Sequence, residues 1–286
     1  MVGRARMSFS LHLAQNVAVL ALFMPIATPA HAADASAWDK DMHSAMRLIA
    51  ASALNDGGDR TLRAGIEIRL DKGWKTYWRY PGDSGVPPRF DFKRSDNVKA
   101  VSVEWPVPHR FSDDSGQSIG YKDHVILPLT IVAQDAGRPV TLRLDLDYAV
   151  CEKLCVPAEA KAELILSGAR TPHEAAFAAA QARVPKRSAL GEASAFAVRA
   201  VTREAPERIV VDVAAPDDAP VDLFAEGPTP DWALPLPALV AGAPAGAKRF
   251  AFALDGLPPG ATAAGALLTL TAVAGESAVE VTYRLD

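Results

Sequence analysis

The 286-residue chain contains two cysteines, four positions apart in Cys151-Glu152-Lys153-Leu154-Cys155. Thiols at that spacing can close a structural disulfide, exchange a disulfide with another thiol, or offer soft thiolates to copper(I) or zinc. Along a continuous strand the two residues would stand about 13 Å apart, whereas a disulfide needs Cα atoms within about 7 Å. If they bond, the chain must fold back, which makes 152–154 the loop of a hairpin with the sulfurs at its mouth. Closing a loop of about five residues restrains the unfolded chain by only about 2 kcal/mol, against nearly 5 for a loop of about a hundred. That is a small return for a staple, and strained or exposed disulfides are the ones that exchange. A metal site would need more donors. His43, His109, His124 and His173 are available, but none has a tight spacing to the cysteines, and a surface or satisfied core role fits each. There is no glycine-rich phosphate loop.

The elements that must position this pair read as β-strands. Leu62, Ala64, Ile66, Ile68 and Leu70 alternate with Arg63, Gly65, Glu67 and Arg69, and Val140 to Tyr148 alternates in the same way directly before Cys151. Val101, Val103 and Trp105 form a shorter run. The apolar stretch from Val125 to Val132 contains Pro128, which predicts an edge strand or a bulge. Turn residues separate these runs at Asp71-Lys72-Gly73, Pro81-Gly82-Asp83-Ser84-Gly85 and Ser115-Gly116, the punctuation of a β-sandwich. One segment differs. Thr171-Pro172-His173-Glu174 predicts a helix capped by Thr171, with Pro172 first inside it and an Ala-rich body ending near Val184-Pro185. Beyond it alternation resumes at Val211 and Val213, at Phe250 to Leu254 and at Val279 to Leu285, which reads as a second, smaller β domain without cysteine or histidine. A structural or docking role suits that domain.

Aromatic residues crowd Gly73-Trp74-Lys75-Thr76-Tyr77-Trp78-Arg79-Tyr80-Pro81. Alternation would bury Trp74 and Tyr77 or Trp78 in the core, and the competing reading is a rim for a partner protein, since Trp, Tyr and Arg are favoured anchors.

The N-terminus reads as an export signal. Arg4 and Arg6 precede an apolar run from Val17 to Met24, and Ala30-His31-Ala32 has the small-x-small form that predicts cleavage after Ala32. The run is short for a membrane span, so an exported protein in a disulfide-permissive compartment is expected. The whole chain carries a net charge of -4, and residues 33–286 about -6. That balance argues against a nucleic-acid partner, which would require a basic face.

Several motifs in fixed order resemble one family. Gly73-Trp74-Lys75-Thr76-Tyr77-Trp78 with Pro81-Gly82-Asp83-Ser84-Gly85, Trp105-Pro106-Val107-Pro108-His109-Arg110-Phe111, Gly120-Tyr121, and Tyr148-Ala149-Val150-Cys151 through Cys155-Val156-Pro157 resemble the N-terminal periplasmic domain of DsbD-type thiol:disulfide interchange proteins. The likeness runs from about Ala51 to Gly168 and leans toward the ScsB branch, which is linked to suppression of copper sensitivity. It implies an immunoglobulin-like sandwich whose cysteine pair passes electrons to a thioredoxin-like periplasmic protein. By motif position Cys155 forms the mixed disulfide and Cys151 resolves it. The resemblance also implies a shielding element, for which Phe111, Tyr121, Trp78 and Tyr80 are the candidates, although Phe111-Ser112-Asp113-Asp114-Ser115-Gly116 supplies only Phe111 as an aromatic cap. The membrane domain that reduces the pair in full-length members has no counterpart in these residues, so a separate membrane protein is expected as electron donor. No organic cofactor is implied.

The sequence thus predicts an all-β chain of two immunoglobulin-like sandwiches joined by a short helical, Ala-rich linker. Its parts are a signal peptide (1–32), a redox sandwich (33–168), a linker (169–194) and a second β domain (195–286). The expected activity is thiol-disulfide exchange of the protein-disulfide reductase type. The alternative is a non-catalytic copper-handling or docking protein whose cysteines form a structural disulfide or bind copper(I).

Overall fold

The computed structural model describes residues 1–3, 33–54, 61–83, 85–113, 116–216 and 219–286. The expected signal peptide, with its cleavage point after Ala32, lies almost wholly outside these. Strands begin with β1 (Asp39–Lys40), β2 (Ser44–Leu54), β3 (Thr61–Leu70), β4 (Lys75–Gly82), β5 (Arg89–Asp91) and β6 (Val98–Val103). Next come β7 (His109–Asp113), β8 (Gly116–Lys122), β9 (His124–Ala133), β10 (Val140–Cys151) and β11 (Cys155–Leu166). One sheet has the order β1-β2-β3-β9-β6; the facing sheet has the order β11-β10-β4-β8-β7, with β5 also paired to β10. The alternation seen in the sequence is what builds the core between them. Leu62, Ala64, Ile66 and Ile68 from β3 meet Val140, Leu142, Leu144 and Leu146 from β10, all buried in one cluster, while the intervening polar residues take the opposite face of each sheet, where Glu67 is nonetheless buried.

The expectation for Pro128 needs correction. β9 lies inside its sheet between β3 and β6, and Pro128 stands opposite Gly65 of β3. On its other side β6 ends at Val103, opposite Leu129, and the Pro128 carbonyl accepts a hydrogen bond from Glu104 N at 2.8 Å. Its missing N–H therefore falls where the partner strand has already stopped, so an interior strand tolerates it there.

After β11 comes the helix α1 (Glu174–Ala182), which starts later than the sequence suggests, with Pro172 and His173 in a turn before it. Thr171 still organises that turn. Its Oγ1 accepts from His173 N and donates to Ala50 O at 2.7 Å, and the Glu174 carboxylate accepts from Ser52 N and Oγ at 2.5 and 3.0 Å. The polar side chains that could have capped the helix tie it to β2 instead.

The C-terminal strands are β12 (Lys186–Arg187), β13 (Ala197–Ala205), β14 (Arg208–Ala214), β15 (Val221–Glu226), β16 (Ala238–Val240), β17 (Ala247–Ala253), β18 (Leu267–Ala274) and β19 (Ser277–Arg284). They form two four-stranded sheets, β12-β19-β18-β15 and β13-β14-β17-β16, so the architecture is nearly all β, as the patterning predicts. β12 falls within the stretch read as linker and pairs in parallel with β19.

The first of these sheets is buried on both faces. Leu223 and Ala225 of β15 point into the core of the second sandwich, whereas Phe224 between them, with Val273 and Ala278, joins the core of the first. Residues 32–286 accordingly form one compact unit.

Candidate functional site

Cys151 and Cys155 are joined in a disulfide with Cα atoms 4.2 Å apart. The sequence reading required a fold-back, and β10 and β11 provide it: the two strands pair from Val140↔Leu166 to Cys151↔Cys155, leaving 152–154 as the loop. A separation of 4.2 Å lies close to the roughly 4.5 Å of directly opposed cross-strand residues, so the cysteines sit at the mouth of a regular hairpin.

The two ends of the bond differ in accessibility. Cys151 is 1% exposed and packs in a small cluster with Tyr77 and Ala149. Cys155 is exposed, and so are Glu152, Lys153 and Leu154 of the loop, Leu154 at 73%. This asymmetry follows from the sheet order. β10 is flanked on both sides, by β11 and by β4 and β5, whereas β11 is an edge strand.

From the sequence, Tyr77 belongs either to the core or to a partner-binding rim, with no link to the cysteines. Its hydroxyl stands 2.8 Å from Cys151 Sγ and 3.0 Å from Cys155 Sγ, so it straddles the bond. Bonded sulfurs carry no proton, which makes the tyrosine the donor. β4 sets this geometry: Thr76 and Lys75 stand opposite Val150 and Cys151 in the ladder, and Thr76 Oγ1 donates to Ala149 O at 2.9 Å. On the other side of β4, Tyr77 is opposite Gly120 of β8. A side chain at Gly120 would run into the Thr76 carbonyl and lie 3.0 Å from Tyr77 Cα, so only glycine lets β8 come close enough to fix Tyr77. Gly73 does a related task in the turn before β4. Its φ of +91° is one that side-chain-bearing residues rarely adopt, and Trp74 N closes the turn onto Asp71 O at 3.0 Å. The signal for Tyr77 was its parity within β4, legible only once the pairing of β4 with β10 is known.

Of the four aromatic candidates for shielding, the structure places three in the interior. Trp78 is fully buried with its ring 5.5 Å from that of Phe224. Tyr80 is buried and donates its hydroxyl to Leu234 O; burial, aided by the charges of Asp83 and Glu226, pushes its pKa up to about 12. Tyr121 is buried and donates to Pro106 O at 2.8 Å. Trp78 and Tyr80 do serve as anchors, but what they anchor is the chain's own second sandwich, helped by Arg79. That guanidinium bonds Glu226 and Glu280 at 2.6–3.1 Å. Burial would lower its pKa, but the two carboxylates outweigh burial and raise it. Arg110 of the neighbouring motif similarly bonds Asp222 at 2.5 and 2.9 Å.

Phe111 alone lies beside the cysteine loop. Its ring has Lys122 Nζ at 4.8 Å and Lys75 Nζ at 5.6 Å, and it shares a cavity of about 350 Å³ with Glu152 of the loop and Gly73. Asp114 and Ser115, in the stretch expected to carry a cap, fall outside the described residues.

The four histidines are not gathered at the cysteines. His43 stacks on Trp74 with ring centroids 3.7 Å apart, His124 Nε2 lies 3.0 Å from Glu67, and His173 precedes the helix. His109 is exposed, and partial desolvation of its ring together with the charge of Arg183 lowers its pKa. Among the described residues no group of three or more His, Cys, Asp or Glu side chains could hold a metal ion, and no helix is long and apolar enough to cross a membrane.

Fold and site together define a β-sandwich protein with a disulfide at an open hairpin mouth. Residues 46–167 match the family described as "Thiol:disulfide interchange protein DsbD, N-terminal" and form a domain of that type. Among solved structures, the chain is similar to the crystal structure of the N-terminal periplasmic domain of ScsB from Proteus mirabilis, with 20% identity and a TM-score of 0.68. The match covers 88% of this chain and 98% of that one, and at such identity it speaks for the fold. No curated protein matches the chain.

Proposed function

We propose that the chain is an exported, periplasmic thiol-disulfide exchange module that relays electrons through Cys151 and Cys155 to a thioredoxin-like protein. The observation that carries this reading is the asymmetry of the disulfide, with Cys155 at the surface and Cys151 buried beneath Tyr77. Exchange proceeds by attack of a thiolate on one sulfur of a disulfide. In the reduced protein the Cys155 thiolate attacks the partner disulfide, forms a mixed disulfide and releases one partner thiolate. The Cys151 thiolate then attacks Cys155 Sγ, and the second partner sulfur leaves. The partner gains two electrons, this chain becomes the disulfide, and a dithiol on a separate membrane protein restores it. A buried Cys151 suits resolution, because no second protein needs to reach it.

Tyr77 has a defined part in this scheme. A hydroxyl aimed between the two sulfurs can donate to whichever becomes the thiolate, and hydrogen bonds to charged groups are stronger than to neutral ones. The two-sandwich division at 33–168 and 195–286 belongs to the same proposal, with the second sandwich bracing β4 from behind.

The test uses Cys151→Ser and Cys155→Ser, each reduced and mixed with an oxidised thioredoxin-like protein, then read on a non-reducing gel and by mass spectrometry. Cys151→Ser should accumulate a mixed disulfide and Cys155→Ser should not. Equal trapping by both variants, or by neither, contradicts the assignment. A structural disulfide predicts only lower stability in both.

A further inference from the structure

A groove of about 310 Å³ opens directly beside Cys155, and the strand pairing explains it. β10 pairs with β5 at Asp145 to Asp147 and with β4 only at Val150 and Cys151. The chain between β4 and β5 must therefore arch past Tyr148 and Ala149. Val86 and Pro87 from that arch form one wall, Tyr148 and Ala149 the floor, and Val156 and Pro157 next to Cys155 the other wall. Val86 is 57% exposed although nothing in the core requires an apolar residue there. The arch also packs against Tyr77, whose hydroxyl reaches both sulfurs, since a side chain at Gly85 would collide with Pro81 and with the Tyr77 ring at 2.7 Å.

The chemistry of the walls restricts what can bind. Proline supplies no N–H, so Pro87 on one wall and Pro157 on the other each withhold a backbone donor, although Arg89, Asp147 and Glu159 also line the groove. A proline in the edge strand β11 also opposes strand addition. The groove therefore suits a side chain, apolar and continuous with the sulfur under attack. Resting on the exchange function proposed above, we infer that this groove is the subsite for an apolar side chain next to the reactive cysteine of a protein partner, and that it selects which thiols react.

The experiment uses two cysteine tetrapeptides that differ only in the residue following the cysteine, Leu in one and Ser in the other. The peptide thiolate bonds to Cys155 Sγ, the Sγ–Sγ bond breaks, and Cys151 leaves as the thiolate. Rate constants for this step are compared between the wild-type protein, Val86→Asp and Val86→Leu. The wild type should prefer the Leu peptide about tenfold, a fraction of what full burial of a leucine is worth. Val86→Leu should keep the preference, and Val86→Asp should bring the ratio close to one. Because each protein is read as a ratio, a general change in reactivity cancels. Equal rates for both peptides on the wild type would overturn the subsite while leaving exchange intact. Absence of reaction with either peptide, in a protein that circular dichroism shows to be folded, would overturn the exchange reading itself.

Discussion

Replacing Tyr77 by Phe removes one oxygen and leaves a buried ring of almost the same shape. The hydroxyl lies within 3.0 Å of both sulfurs, so its loss falls on the redox pair and hardly on the fold. In the oxidised protein the acceptors are neutral sulfurs, which accept weakly. In the reduced protein a thiolate accepts instead, and a hydrogen bond to a charged group contributes about 1.5–3 kcal/mol. Taking about 1.5 kcal/mol, the thiol pKa in Tyr77→Phe should rise by about one unit. With the thiol ionised, the couple should become more reducing by up to about 30 mV. Thiolate absorbance against pH gives the first quantity, and equilibration in glutathione buffers gives the second. A pKa within roughly 0.3 units of wild type, with an unchanged potential, would refute the idea that Tyr77 tunes the sulfurs.

Three further outcomes follow from the packing. Arg79→Ala leaves Glu226 and Glu280 facing each other where the sandwiches meet, and breaking such a pair should cost about 3 kcal/mol and lower the Tm by about 10 °C. Adding Glu226→Gln should return part of the loss, and calorimetry decides. Burial pushes the Glu67 carboxyl up, but hydrogen bonds from Arg47 and His124 and the charges of Arg47 and Arg69 outweigh it and hold its pKa below 4.5. Because that pKa is depressed in the folded state, its stabilisation is present above about pH 4.5 and fades as pH falls through the folded value. Urea midpoints between about pH 3 and 6 should show a shallower acid limb in Glu67→Gln, and identical limbs would contradict this. Thr271 Oγ1 is buried with no hydrogen-bond partner among the described residues, so Thr271→Val should stabilise the protein by about 1 kcal/mol, which denaturant titration can read.

How far the molecule can be read from its sequence depends on the range of the cause. The alternation in Leu62–Leu70 and Val140–Tyr148 is local, and it became β3 and β10 with the expected faces buried. The hairpin at the cysteines was legible because chain length and bond length leave few solutions. What escaped the sequence depends on which strands become neighbours. Pro128 reads as an edge residue, yet it occupies an interior strand at the point where β6 has ended. Tyr77 and Trp78 look equivalent in a run of aromatics. The pleat sends Tyr77 to the disulfide and Trp78 to Phe224, 146 positions further along the chain. The second sandwich carries no sharp motif, and its contact with β4 through Arg79 and Tyr80 could be seen only in the fold.

In the function proposed above, the Cys151–Cys155 bond is an exchanging couple. Its reduction potential, measured by equilibrating the folded protein in glutathione buffers and counting free thiols, tests this most directly. An exchanging pair should give a value among the exchange proteins, between about -120 and -270 mV. A value below about -300 mV would mark a structural disulfide and contradict it.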